Sequence, residues 1–403
     1  MASARKFASL LGLFLLCQSC VWNQDHPPAS AQIAGRFYLE KNTYALGEPV
    51  FLYFEASNPG TKAHDIIRAD PYSFCAGYEI RLSSDPSPTS RCAIRQPGGS
   101  CASSSRTLPP GGSYTESILL NYDHKIDEPG YYVVDAARSM PHGVDPSQMM
   151  GPNGTTLKVR ERLRFLVKPA KFTSEELAEW LEKLHSGDNE SRREAARTLA
   201  SLAPRSLENT LIGLADSDQF KGWVPLAMHR LNTPRSIAVL AKIVGSQPAA
   251  DYYLWHVEAA NYLGSSGDPQ WFPVLLATAQ EHPDASYLYP AAESGGDRAV
   301  PFLIGLVHSR TGLTRQLAIA ALGYTGSRSA VPFLLDLLNN SDSDTSERAL
   351  YGLSELTHRT LPGTSSSPQA QYPKWLAWWT RHGDSAPIYK PTDCDDFIPL
   401  DQD

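Results

Sequence analysis

Arg298–Ala299–Val300–Pro301–Phe302–Leu303 returns about thirty positions later as Ser329–Ala330–Val331–Pro332–Phe333–Leu334–Leu335, and between the two copies runs Ala318–Ile319–Ala320–Ala321–Leu322–Gly323. Self-similarity at a spacing of roughly 20–50 residues marks stacked repeats, each burying its apolar face only against its neighbours. The expectation is an α-solenoid, an elongated array that offers a surface before it offers a pocket.

Working outward, helical periodicity begins at Lys171 and predicts about six helix pairs. The first helices are read as Ser174–Ser186, Arg205–Ala215, Arg235–Gly245, Gln270–Glu281, Arg298–Ser309 and Ala330–Asn339. The second helices are Glu190–Leu202, Phe220–Leu231, Asp251–Leu263, Ala285–Glu293, Thr314–Tyr324 and Asp344–Thr357. Thr173–Ser174–Glu175–Glu176 is a start signal, with a hydroxyl cap and acids placed where the helix dipole favours them. Leu177, Trp180, Leu181 and Leu184 then share one face. Ala195–Ala196, Ala259–Ala260, Ala291–Ala292 and Ala318–Ala321 fall in second helices, where small side chains let neighbouring helices approach.

On these residues, above all Ala299–Ile304, Ala330–Leu335 and Ala321–Leu322–Gly323, the stretch 171–360 resembles HEAT repeats of the short bacterial kind also found in phycobilisome lyases. After the break Leu361–Pro368, Trp375, Trp378 and Trp379 sit at i, i+3 and i+4 on one face. They resemble the closing helix of exported HEAT proteins; a sugar-stacking cluster is the alternative, and terminal repeats need covering. The segment 361–403 is read as linker, Trp-rich capping helix and acidic tail.

Upstream, residues 32–170 have a different period. Phe37–Glu40, Val50–Ala56, Ile66–Ile67, Gly77–Leu82, Tyr114–Leu120, Tyr131–Val134 and Leu157–Val167 read as short strands separated by turn residues. The last alternates apolar and charged residues, the pattern of a sheet with one wet face. Together they predict an antiparallel β-sandwich. Gly47–Glu48–Pro49 before a long strand, Asn58 after it and Pro129–Gly130–Tyr131 opening a late one resemble Ig-like modules of exported bacterial proteins, a likeness that implies a fold and not an activity. Residues 83–112 and 137–156 are rich in Ser, Pro and Gly and are read as long loops. Val167–Lys168–Pro169–Ala170–Lys171 leaves only a short link to the helices, so the expected orientation of the two parts is fixed.

The N-terminus carries Arg5–Lys6 followed by Phe7–Leu16, a charged then apolar run that reads as a secretory leader within residues 1–31, cleaved between 19 and 31. Export to the periplasm or beyond is the expectation. Membrane attachment would need a lipid on Cys20, whose preceding Cys17–Gln18 fits a lipoprotein box poorly. In an oxidising compartment Cys75, Cys92, Cys101 and Cys394 are expected as two disulfides, with three pairings open. Cys92 with Cys101 across the Gln96–Gly99 turn is preferred, leaving Cys75 for Cys394. The net charge of −7 argues against nucleic acid, which calls for clustered Lys and Arg.

A search for catalytic constellations finds no HExxH, G-x-S-x-G, GxGxxG or P-loop pattern. His185, His229, His256 and His308 are scattered over separate repeats, and no His-Glu dipeptide of the iron-binding HEAT hydroxylases occurs. No metal or cofactor is expected, and Asp393–Asp396 lacks the spaced ligands and glycine of a calcium loop. Aromatic residues instead concentrate in three consecutive second helices: Trp223, His229 and Arg230; then Tyr252, Tyr253, Trp255, His256 and Tyr262; then Tyr287 and Tyr289. These are binding hot-spot types. Trp223, Arg230, Trp255, His256, Tyr262, Tyr287 and Tyr289 are the candidate binding residues, with Trp255 and Tyr262 expected to be exposed. The reading is a non-catalytic scaffold holding a protein or peptide partner. An envelope polysaccharide is the second ligand class, and a lyase or maturation factor the third.

Overall fold

The computed structural model describes residues 33–69, 71, 76–85, 103–143, 155–246, 253–340, 342–360, 367–390 and 398–399. The leader, Cys20, the cysteines Cys75, Cys92, Cys101 and Cys394, Tyr252 and the 393–396 tail lie outside the described residues.

The N-terminal region holds strands β1 (Ala34–Leu39), β2 (Thr43–Leu46), β3 (Phe51–Ser57), β4 (His64–Ala69), β5 (Tyr78–Asp85), β6 (Ser103–Leu108), β7 (Ser113–Leu119), β8 (Gly130–Gly143) and β9 (Thr155–Lys171). One sheet has the order β1–β3–β7; the other runs β2–β9–β8–β4–β6, with β5 also paired to β8. All pairs are antiparallel except β2 with β9. Alternation decides which face is inward. In β3, Leu52, Phe54 and Ala56 are buried while their neighbours are not. These residues share one core with Phe37 and Ile118 of their own sheet and with Ile66, Val134, Phe165 and Val167 of the other.

Two local expectations are corrected. Ser103–Leu108 is a strand rather than loop, and β8 continues through Arg138–Gly143. The last alternates without a break: Tyr132, Val134, Ala136, Arg138, Met140 and His142 are all buried. Its inward Arg138 and His142 disguise the period, because charged residues normally mark the wet face.

The C-terminal region is helical. Its helices are α1 (Ser174–Ser186), α2 (Asn189–Leu202), α3 (Glu208–Gly213), α4 (Val224–Leu231), α5 (Pro234–Val244), α6 (Tyr253–Ser265), α7 (Phe272–Glu281), α8 (Ala285–Gly295), α9 (Val300–Ser309), α10 (Gly312–Leu322), α11 (Ala330–Asn340), α12 (Ser343–Thr357) and α13 (Tyr372–His382). Thr173 and Glu176 form the expected capping box at α1, the Thr173 hydroxyl accepting from the Glu176 amide. The α3 and α4 spans open as tight 3-10 turns, Arg205–Leu207 and Lys221–Trp223, so their α-helical parts are shorter than the periodicity suggests.

Consecutive helices pack in pairs, and α2, α4, α6, α8, α10 and α12 also pack in series. The reason is side-chain size. Ala195, Ala196, Ala259, Ala260, Ala291, Ala292, Ala318, Ala320 and Ala321 are fully buried. A Cβ on Gly264 of α6 would lie 2.5 Å from the Pro290 Cα of α8, and one on Gly323 would lie 2.7 Å from the Gly352 Cα of α12. Only glycine permits such approach. At the far end α13 packs on α11 with Trp375 and Trp378 buried, so two of the three tryptophans serve packing and only Trp379 is partly open.

The two regions meet along the three-stranded sheet. Phe51 stacks on Trp180 at 6.0 Å, and the Ser117 hydroxyl donates to Glu194 at 3.3 Å. A short helical turn after β7, Leu120–Asp123, packs on α2 and places Tyr122 edge-on to Trp223 at 6.2 Å.

Candidate functional site

The even-numbered helices carry a strip of aromatic and ionisable side chains, each half-buried or open. It begins at the junction. Arg230 of α4 donates through Nη2 to the Tyr122 carbonyl at 2.7 Å and the Asn121 carbonyl at 3.3 Å. Its neighbour His229 stacks on Tyr262 of α6 at 4.4 Å between ring centroids and 15° between planes. One turn back, Glu258 shares the Tyr262 face. Further along, Tyr289 of α8 stacks on Tyr324 at 4.4 Å and 6°. The Tyr324 and Tyr351 hydroxyls then meet at 3.0 Å.

Electrostatics set this strip apart from an ordinary wet face. Burial pushes the Glu258 carboxyl up to about 7. Glu293 on α8 is likewise raised by burial to about 7, against an opposing pull from Lys390. At the junction Asp123 is raised to about 6 by burial, which outweighs the nearby Arg230 and Arg197. His124 is lowered to about 4 by burial and then by Arg230. Tyr122, Tyr262, Tyr289 and Tyr324 are all raised, burial being the largest cause in each. Near neutral pH the strip therefore holds carboxyls that ionise only in part and tyrosines that keep their protons. Such groups donate and accept hydrogen bonds without a full charge to desolvate.

The sequence candidates divide into four groups. Tyr262 and Tyr289 lie in the strip. Trp223 and Arg230 are tied to the junction: Trp223 is packed between Tyr122 and the Arg197 guanidinium, which is 5.1 Å from its ring centroid. Trp255 is half-buried at the start of α6 with the Lys221 ammonium 5.3 Å from its ring centroid. His256 and Tyr287 are corrected. Both are fully buried; the His256 Nε2–H donates to the Ser246 carbonyl at 2.8 Å, and its Nδ1 accepts from the Tyr287 hydroxyl at 3.0 Å. That pair closes the packing between α6 and α8, since a polar side chain enters a core only when its hydrogen bonds are met. Trp255 and Tyr262, expected to be exposed, are each partly covered.

Glu258, Glu293, Tyr324, Tyr351 and the Tyr122–Asp123–His124 run escaped the sequence reading. The α6 stripe Trp255–Glu258–Tyr262 contained the signal for the first. Nothing local points from the Tyr122 run to a helix more than a hundred residues away. Among the described residues no group of three or more His, Cys, Asp or Glu is placed to hold a metal ion, and no helix is long and apolar enough to cross a membrane.

No protein family and no curated protein matches the chain. Among solved structures, a mutant β-glucosidase from Listeria innocua in complex with laminaribiose is 15% identical at a TM-score of 0.18, over 35% of this chain and 16% of that one. The α-2-macroglobulin of Salmonella, reacted with methylamine, is 12% identical at a TM-score of 0.20, over 86% of this chain and 27% of that one. The native α-2-macroglobulin of E. coli gives the same identity and TM-score over 86% and 26%. The chain thus spans well under a third of each of these proteins.

Proposed function

We propose that this is an exported, non-catalytic binding protein, an Ig-like β-sandwich followed by an α-solenoid of about six HEAT-like helix pairs, whose even-numbered helices hold a protein or peptide partner. The observation that carries the reading is the strip itself. Three successive even-numbered helices, α4, α6 and α8, and the turn that follows α10 each present a ring near the same surface, in the stacked pairs His229–Tyr262 and Tyr289–Tyr324. Series packing of these helices favours a concave inner face, the part of a repeat array best shaped to surround a ligand. Tyrosines beside partly ionised carboxyls suit a peptide, which offers apolar side chains together with amide donors and acceptors.

Polysaccharide is the weaker candidate on the same geometry. Sugar stacking needs open aromatic faces, whereas Tyr289 and Tyr324 stack on each other and Tyr262 on His229. The lyase reading gains no catalytic group from the strip.

Crosslinking and co-purification of the mature chain from its native envelope tests the proposal, with Trp255→Ala/Tyr262→Ala as the comparison. The expected result is a protein captured by the native chain and lost from the double variant, with both forms equally folded by circular dichroism. Capture of the same proteins by both would remove this face from consideration.

A further inference from the structure

A second surface, sharing Arg197 with the junction end of the strip, lies where the sheets meet α2. There a groove of about 670 Å³ opens between β4, β6 and β7 on one side and α2 on the other. Its β wall carries Arg68 and Arg106. In the β4–β6 register Ile66 faces Arg106 and Arg68 faces Ser104, so the two arginines are diagonal neighbours on one face of the sheet. Ile66 on that face is fully buried, so both arginines lie at the rim of the core. Across from them is Tyr114 of β7, with the Arg106 guanidinium 4.9 Å and the Arg68 guanidinium 5.5 Å from its ring centroid.

The Glu116 carboxylate, which also lines the groove, is committed elsewhere. Glu116 is buried, pairs with Arg138 at 3.3 Å, and accepts from the Tyr114 hydroxyl at 3.2 Å and from the Tyr78 hydroxyl. On the α2 wall, Glu194 accepts from Ser117, and Arg193 and Arg197 add two more guanidiniums, the latter lying over the Trp223 ring. Among the described residues, Arg68, Arg106 and Arg193 form no ion pair. Two guanidiniums held over one ring repel each other unless an anion lies between them.

We propose that this groove binds an oxyanion, the phosphate or carboxylate group of a small ligand, between the guanidiniums of Arg68 and Arg106 with Tyr114 as the floor. Guanidinium forks match both oxyanions in a bidentate manner. The volume lies within the range of small-molecule sites, and a junction between regions is where such sites concentrate. Glu190 and Glu194 on the opposite wall suit hydroxyl or ammonium groups at the ligand's other end.

The test is isothermal titration of the full mature chain, at low ionic strength, with inorganic phosphate and with citrate. Saturable binding of at least one is expected, weakened about tenfold or more by Arg106→Gln and lost in Arg68→Gln/Arg106→Gln. Arg106→Lys keeps the charge without the fork and falls between. Arg160→Gln, at an exposed sheet position outside the groove, leaves the titration unchanged. Binding of phosphate alone identifies a phosphorylated ligand, and binding of citrate alone a carboxylate. Absence of saturable binding for both anions overturns the proposal, as does equal binding by the folded double variant.

Discussion

Between the sheets a fully buried arginine, Arg138, meets Glu116 at 3.3 Å and lies 4.0 Å from the Tyr78 ring centroid. Between the helices, the tightest positions are instead held by alanines and glycines. Within the apolar core that the two sheets share, Arg138 of β8 and Glu116 of β7 form an ion pair across the sheets. The helical core is joined by backbone proximity. A buried ion pair is a single specific contact, costly to break and dependent on the hydrogen bonds that surround it. Close backbone approach is distributed along the series and intolerant of one added carbon.

The largest expected effect belongs to the ion pair. Arg138→Ala leaves Glu116 buried with only tyrosine hydroxyls as donors and is expected to cost about 3–5 kcal/mol. Replacing both partners with apolar residues, Arg138→Met/Glu116→Leu, removes the charge that must be desolvated and should return to within about 1 kcal/mol of the native chain. Urea unfolding followed by circular dichroism reads both. If the single variant loses no more than the double, the two cores do not differ in kind.

The helical side is probed by a pair of glycines. Gly323→Ala places a Cβ 2.7 Å from the Gly352 Cα and 3.0 Å from its carbonyl oxygen. Backbone stands in the way, so relief requires helix movement at about 1–3 kcal/mol. Gly305 lies mid-helix in α9 with nothing within 4 Å of an added Cβ. Gly305→Ala is therefore expected to stabilise by about 0.5–1 kcal/mol through backbone entropy. Opposite signs from one chemical change, measured by the same urea series, are the signature of contact-limited packing. Matching signs would show that propensity, not approach, governs these positions.

The same contrast explains what could be read in advance. Helices are local objects: the Thr173 cap, the Leu177–Trp180–Leu184 spacing and the Ala-Val-Pro-Phe-Leu repeat each declare themselves within a dozen residues. Strand pairing is not local. Ser103–Leu108 is polar and becomes a strand only because β4 offers its edge, and the inward Arg138 makes sense only once Glu116 is known to face it. The candidate site was legible in part for the same reason. Tyr262 and Tyr289 stand out with the aromatic concentration of their helices, whereas His256 and Tyr287 belong to the same concentration but turn inward to each other. The side to which a half-aromatic helix turns depends on its neighbours, and the Arg68–Arg106 pair depends on a strand register that no local pattern records.

The smallest expected effect sharpens the comparison by asking whether the helical strip also carries a polarity cost. Glu258 ionises near 7 in the folded protein because burial disfavours its charge, and in the ordinary carboxylate range when unfolded. Between those values the folded chain holds a proton that the unfolded chain has released. Stability from this group is thus complete below about pH 4.5 and declines as pH rises to about 7. Glutamine imitates the protonated form at all pH values. Glu258→Gln should match the native chain near pH 4.5 and exceed it at pH 8 by about 1 kcal/mol, the full shift being reduced by the solvent that reaches this half-open face. Asp123, His124 and Glu293 titrate in both proteins and cancel in the difference. A difference independent of pH would mean that Glu258 is as well solvated as any surface carboxylate, and the strip would then lose the partly ionised character that suits it to a peptide.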